Sequence, residues 1–116
     1  MRTFLAASLA LVSACIAARA HDHWINNGDM VSPIDGSHCC GTADCAVIDP
    51  DFVREVAGGF ALHGRVTYGS GEGAITQLLD ETVPANEVQT SRDGAFWRCK
   101  KADGSRRCFF APPPST

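Results

Sequence analysis

Five cysteines stand beyond residue 20 of this 116-residue chain, at Cys39, Cys40, Cys45, Cys99 and Cys108. They constrain the fold more than any other feature, because the rest of that segment is poor in core-forming side chains. Residues 21–116 hold only 19 Ile, Leu, Val and Phe against 17 Gly and Pro. So lean a composition lies near the border where compact folding fails without a covalent or metal staple. The overall hydrophobic content of 45% hides this, since 15 of the first 20 residues are apolar.

Those first residues read as a leader rather than as part of the fold. Met1-Arg2 supplies a positive end, Phe4 to Ala18 an apolar run, and Ala18-Arg19-Ala20 a small-x-small cleavage site. The expectation is a secretory signal peptide over 1–20 and a periplasmic or secreted protein from His21 onward. A competing cut lies at Val12-Ser13-Ala14-Cys15, a lipobox-like sequence that would anchor the chain through a lipid on Cys15. Beyond the leader there is no apolar run long enough to cross a membrane. The chain carries a net charge of −3 and no Lys/Arg tract, which argues against a nucleic-acid partner.

Residues 21–116 read as a single small β-rich domain, all-β or α+β, closed by a proline-rich tail over 111–116. His21 to Gly41 lacks periodicity and suggests an arm anchored by Trp24 and Ile25. Ala46 to Ile48 suits a short strand before the Asp49-Pro50 turn. A hairpin is expected over Phe52 to His63, centred on Gly58-Gly59, with arms Val53 to Val56 and Phe60 to Leu62. Ala74 to Leu79 fits a strand or one helical turn equally well. Thr82 to Pro84 is extended, and Ala85 to Val88 suits a short helical turn. A last hairpin runs from Ala95 to Lys101, turns at Asp103-Gly104, and returns over Ser105 to Phe110.

A two-residue turn at Asp103-Gly104 would set Cys99 opposite Cys108 on a non-hydrogen-bonded pair, close enough for a disulfide. In the rival arrangement each hairpin cysteine reaches back to the Cys39–Cys45 loop. Either way the fifth cysteine is odd, and so a candidate for a free thiol, an intermolecular bridge or a ligand.

Three groups of residues carry candidate chemistry. Cleavage after Ala20 would give His21-Asp22-His23 a free α-amine, which with two amides and the His23 imidazole forms a square-planar set for copper or nickel. Alternatively, the amine and side chain of His21 could chelate copper together with a distant histidine such as His38 or His63. His38 with Cys39, Cys40, Asp44 and Cys45 offers soft ligands for Zn or Cu(I), or a thiol nucleophile with a histidine base. Export favours their oxidation instead. Finally, Arg98, Lys100, Lys101, Arg106 and Arg107, beside Trp97, Phe109 and Phe110, form the one basic patch. It suits an anionic or cell-envelope partner, or serves as a charged edge against aggregation. Acid pairs such as Asp49/Asp51 and Asp80/Glu81 read as solvated turn residues. Gly69-x-Gly71-x-Gly73 lacks the lysine and helix start of a phosphate loop.

The combination of His23-Trp24-Ile25-Asn26, His38-Cys39-Cys40-Gly41 with Asp44-Cys45, Trp97-Arg98-Cys99 and Arg107-Cys108-Phe109-Phe110-Ala111-Pro112-Pro113 resembles a family of small exported cysteine-containing proteins of uncharacterised function from proteobacteria. The likeness covers both ends of the segment after the leader and leaves Pro50 to Val83 unsupported. It implies export and a cysteine-rich architecture, and brings no catalytic or ligand residues with it. The sequence therefore points first to a non-enzymatic binding or envelope-associated module. Metal binding through His21, His23 and His38 is the alternative, and a thiol-redox enzyme the third.

Overall fold

The computed structural model describes residues 23–27, 29–39 and 43–114. The leader, Cys15, His21, Asp22, Cys40 and the last two residues, with the expectations attached to them, lie outside this set. Within the described residues seven strands form two sheets: β1 (Cys45–Ile48), β2 (Val53–Val56), β3 (Gly59–Tyr68), β4 (Ile75–Pro84), β5 (Val88–Thr90), β6 (Phe96–Lys100) and β7 (Arg106–Ala111). Among the described residues the only helical pieces are short 3-10 turns, so the expected β-rich domain is all-β.

β2, β3 and β4 make an antiparallel meander, and the second sheet runs in the order β1-β6-β7-β5, with β5 parallel to β7. The Asp49-Pro50 turn sets up the first of these. Asp49 accepts a hydrogen bond from the Asp51 amide (2.9 Å), Pro50 opens a 3-10 turn, and Phe52 is delivered against β3. It lands on Gly64, where any Cβ would overlap the Phe52 ring. The following hairpin pairs Val56 with Gly59, so its turn is Ala57-Gly58 rather than Gly58-Gly59. Gly58 takes the positive φ (82°), whereas Gly59 already belongs to β3, where a side chain would collide with the Val83 carbonyl. β3 continues well past Leu62. It pairs with β4 in unbroken register from Gly59↔Pro84 to Tyr68↔Ile75, which settles 75–79 as strand.

Two apolar clusters flank the β1-β6-β7-β5 sheet. On its inner face Ala46, Ile48, Phe109 and Ala111 pack with Leu62, Val66, Tyr68, Leu79 and Val83 of the meander. On its outer face Cys45, Cys99, Cys108 and Phe110 pack with Ile25 and Cys39 of the N-terminal arm, flanked by Trp24, Met30 and Trp97. Both faces of this sheet are thus covered. That is why adjacent Phe109 and Phe110 are both fully buried, one on each side.

The disulfides follow the rival arrangement. Cys99 and Cys108 do stand opposite one another in register, but Cys99 bonds Cys45 (Cα–Cα 3.9 Å) and Cys108 bonds Cys39 (Cα–Cα 6.1 Å). Cys45, Cys99 and Cys108 form a row across three neighbouring strands. Cys99 therefore has a partner on either side, and its bond to β1 leaves Cys108 to clamp the arm. The last turn also differs from expectation. Lys101 pairs with Ser105 around a three-residue loop in which Gly104 has φ 90°, and a bulge at Arg107 restores Cys99 to Cys108.

Candidate functional site

The structure turns the expected basic patch inward. Arg98 is 1% exposed and lies between the sheets. Its Nε and Nη2 donate to the two carboxylate oxygens of Glu81 (2.9 and 3.0 Å). Nη1 donates to the Tyr68 hydroxyl (2.6 Å) and to Gln77 Oε1 (3.2 Å), and Nη2 also reaches the Gly104 carbonyl (3.2 Å). Arg106 bridges Glu81 (3.0 Å) and Glu87 (2.6 Å). Burial raises the Glu81 carboxyl, but hydrogen bonds and charge from Arg98 and Arg106 outweigh it and hold the group below the ordinary carboxylate range. Glu81 is therefore no solvated turn acid. It projects from a strand into the core and neutralises two guanidinium groups.

The other cations of the hairpin also have partners within the chain. Lys100 is buried over the Tyr68 ring (5.5 Å) and near Asp44 (3.7 Å). Lys101 reaches Asp35 (3.4 Å), and Arg107 donates to the His38 carbonyl (3.3 Å). The hairpin thus uses Arg98 and Arg106 to hold the meander, and Lys101 and Arg107 to hold the arm. Trp97 lies on the outer face, with its Nε1 donating to Asp93 (3.0 and 3.1 Å) and its ring 4.6 Å from that of His23.

The candidate metal ligands are dispersed. His23 Nδ1 accepts the Ile25 amide (3.2 Å). This is the nitrogen that a chelate through the residue's own backbone amide would need, because only Nδ1 closes a six-membered ring with it. His38 sits in an isolated bridge with Val31, and His63 is exposed on β3, 3.6 Å from Asp80. Cys39 and Cys45 are tied in disulfides and offer no thiolates. Among the described residues no group of three or more His, Cys, Asp and Glu is placed to hold a metal ion.

A groove of about 660 Å³ lies elsewhere, at the end of the sandwich. One wall is the β2–β3 turn with Phe60, the floor is Phe96 and Val88, and the far wall is the proline run 112–114. Glu55 is the one charged side chain among its lining residues, and β5, which also lines it, pairs only with β7 among the described residues. Phe60, Phe96 and Phe109 form the aromatic cluster beneath it, with ring centroids 5.7–6.2 Å apart. Sequence reasoning missed this site, since its walls come from segments that share no motif. The available signal was the Phe109-Phe110-Ala111-Pro112 run, in which a buried strand leads directly into prolines. Pro112 is half-buried against the groove and so is not part of a fully solvated tail.

No protein-family model, no curated protein and no solved structure matches this chain.

Proposed function

We propose that the chain is an exported, disulfide-stapled, non-enzymatic binding module of the periplasm or cell exterior. It receives an extended, largely apolar polypeptide segment carrying a basic side chain. The observation that carries this reading is the groove itself. Its lining is mostly aromatic, aliphatic and proline with Gln89 and Thr90, its lone charge is Glu55, and β5, one of its lining strands, has a single strand neighbour among the described residues. An extended segment entering such a site can add main-chain hydrogen bonds to the strand edge while apolar side chains enter the groove. Glu55 then selects a cation at one position. Two disulfides in so lean a domain support an oxidising compartment.

The test uses fluorescein-labelled unstructured peptides of about ten residues, rich in Val and Leu, with a single central Lys or Glu. Fluorescence polarisation should show saturable binding of the Lys peptide, and Glu55→Lys should reverse the preference between the two. Glu55 is exposed, so this substitution leaves the core untouched. Binding of neither peptide, or equal binding of both by the wild-type protein and the variant, overturns the reading.

A further inference from the structure

Among the described residues β4 is a strand edge with no partner on its outer side. It spans ten residues, Ile75–Pro84, and is terminal in its sheet. The other terminal strands are short: β1 and β2 have four residues each and β5 has three. Folded chains ordinarily blunt a long edge with lysine, an internal proline or a bulge. β4 has no lysine, its one proline is the terminal Pro84, its register with β3 is continuous, and of its two charges Glu81 is turned inward onto Arg98 and Arg106 while Asp80 lies beside His63. Among the described residues, no backbone hydrogen bond outside the β3 ladder involves positions 75–84. Two large apolar side chains stand exposed on it, Leu78 at 65% and Ile75 at 52%.

We propose that β4 is the edge through which two copies of this chain pair, antiparallel, about a two-fold axis at Leu78. The second copy is favoured by the pattern of the strand. Antiparallel pairing keeps side chains of one face together, so the outward row Thr76, Leu78, Asp80 and Thr82 must meet the same row of the other copy. With the axis at Leu78, the two exposed leucines cover each other. Each Thr76 hydroxyl stands opposite the Asp80 carboxylate of the second copy, as a donor facing an acceptor, twice over by symmetry. On the inner row Ile75 faces Glu81, so no two carboxylates oppose one another. Moving the axis to Asp80 would instead set two aspartates face to face, and moving it to Leu79 would set Leu78 against Asp80. The two meanders then form one continuous six-stranded sheet, and the groove at Phe60 and Phe96 plays no part in it.

Sedimentation velocity of the exported, oxidised protein between about 1 and 100 μM tests this. A concentration-dependent monomer–dimer equilibrium is expected. Leu78→Lys should weaken it by about tenfold or more, the factor matching loss of one buried leucine contact. Thr76→Lys sets a cation opposite Asp80 and should strengthen it. Peptide mapping of both disulfides and an unchanged thermal transition at monomeric concentration show that each variant is folded. A single monomeric species throughout overturns the proposal. So does a dimer that both variants leave unaltered, or one that Thr76→Lys weakens.

Discussion

Glu81 and Arg98 form a buried ion pair between the two sheets, and removing either should have unequal effects. In Glu81→Ala the Arg98 guanidinium, 1% exposed in the wild-type protein, keeps only the Tyr68 hydroxyl, Gln77 and the Gly104 carbonyl as neutral acceptors. Breaking a buried ion pair in this way costs about 3–5 kcal/mol. Glu81 is 25% exposed, so water entering its place softens the loss toward about 3 kcal/mol. In a domain of this size that is a fall in Tm of roughly 12–24 °C. Arg98→Met removes the charge itself. Glu81 then keeps Arg106 at 3.0 Å, and the Gly104 carbonyl keeps the Gln77 amide at 2.9 Å. The Tyr68 hydroxyl, Gln77 Oε1 and Glu81 Oε1 lose a donor, and since Glu81 is 25% exposed water replaces the last of these, so the cost is about 2 kcal/mol. In the Glu81→Ala background, Arg98→Met should be neutral or stabilising. Urea unfolding of the oxidised variants, followed by tryptophan fluorescence, measures all three. An Arg98→Met cost equal to or above that of Glu81→Ala, or strict additivity in the double variant, would refute the argument.

The same pair fixes the sign of a pH effect. Because the folded Glu81 carboxyl is held below its ordinary value, its contribution is fully present above the unfolded value. It is lost as pH falls from about 4.3 down through the folded value, and Glu81→Gln should flatten the acid limb of stability there.

Two other substitutions test the packing. Gly64→Ala forces a methyl into the Phe52 ring and should destabilise by about 2–3 kcal/mol in thermal unfolding, whereas an unchanged Tm would mean Phe52 is not seated on β3. Cys39→Ser with Cys108→Ser opens the outer of two nested loops, whose ends are 69 residues apart, while the inner bridge still links residues 54 apart. With the inner bridge intact, the outer closes only about 15 further residues, so its loss costs about 3 kcal/mol rather than the ~4 of an isolated long loop. Hydrogen exchange should then quicken over 29–39 and stay slow in the meander; uniform quickening would show that the bridge does not act through the arm.

Much of this fold is written locally, and where it is not the reasons are physical. Asp49-Pro50 and Val53 to Val56 are legible because each depends on neighbours along the chain, whereas Cys99 falls opposite Cys108 because the bulge at Arg107 offsets the longer turn. The strand character of 75–79 is not legible, because two of the inward residues of β4, Gln77 and Glu81, are polar and break the alternation that marks a half-buried strand. They are inside because Arg98 is inside. Conversely, Arg98 in a Trp-Arg-Cys-Lys run reads as a surface cation, and nothing near it in sequence reveals a carboxylate 17 residues earlier. The disulfide pairing stays open in the sequence for a related reason. Register shows which cysteines are close, but a row of three gives the middle one two neighbours, and the choice rests on the arm. The groove is least legible of all, since its proline wall and its Phe60 wall are joined only by the tertiary fold.

These failures share an origin in the two-sided sheet. A strand buried on one face announces itself by alternation, whereas β7, buried on both, reads as Cys-Phe-Phe-Ala and gives no sign of which side each residue takes. Covering the second face falls to an arm with few large apolar groups, chiefly Trp24, Ile25 and Met30. So small a patch does not by itself offset the ordering of the arm's backbone. Cys39–Cys108, Lys101–Asp35 and Arg107 on the His38 carbonyl supply the remainder. Of these only the disulfide is insensitive to salt, so high ionic strength should loosen the reduced arm far more than the oxidised one. Exchange rates over 29–39 that respond equally to salt in both states would place the hold of the arm in its apolar contacts instead.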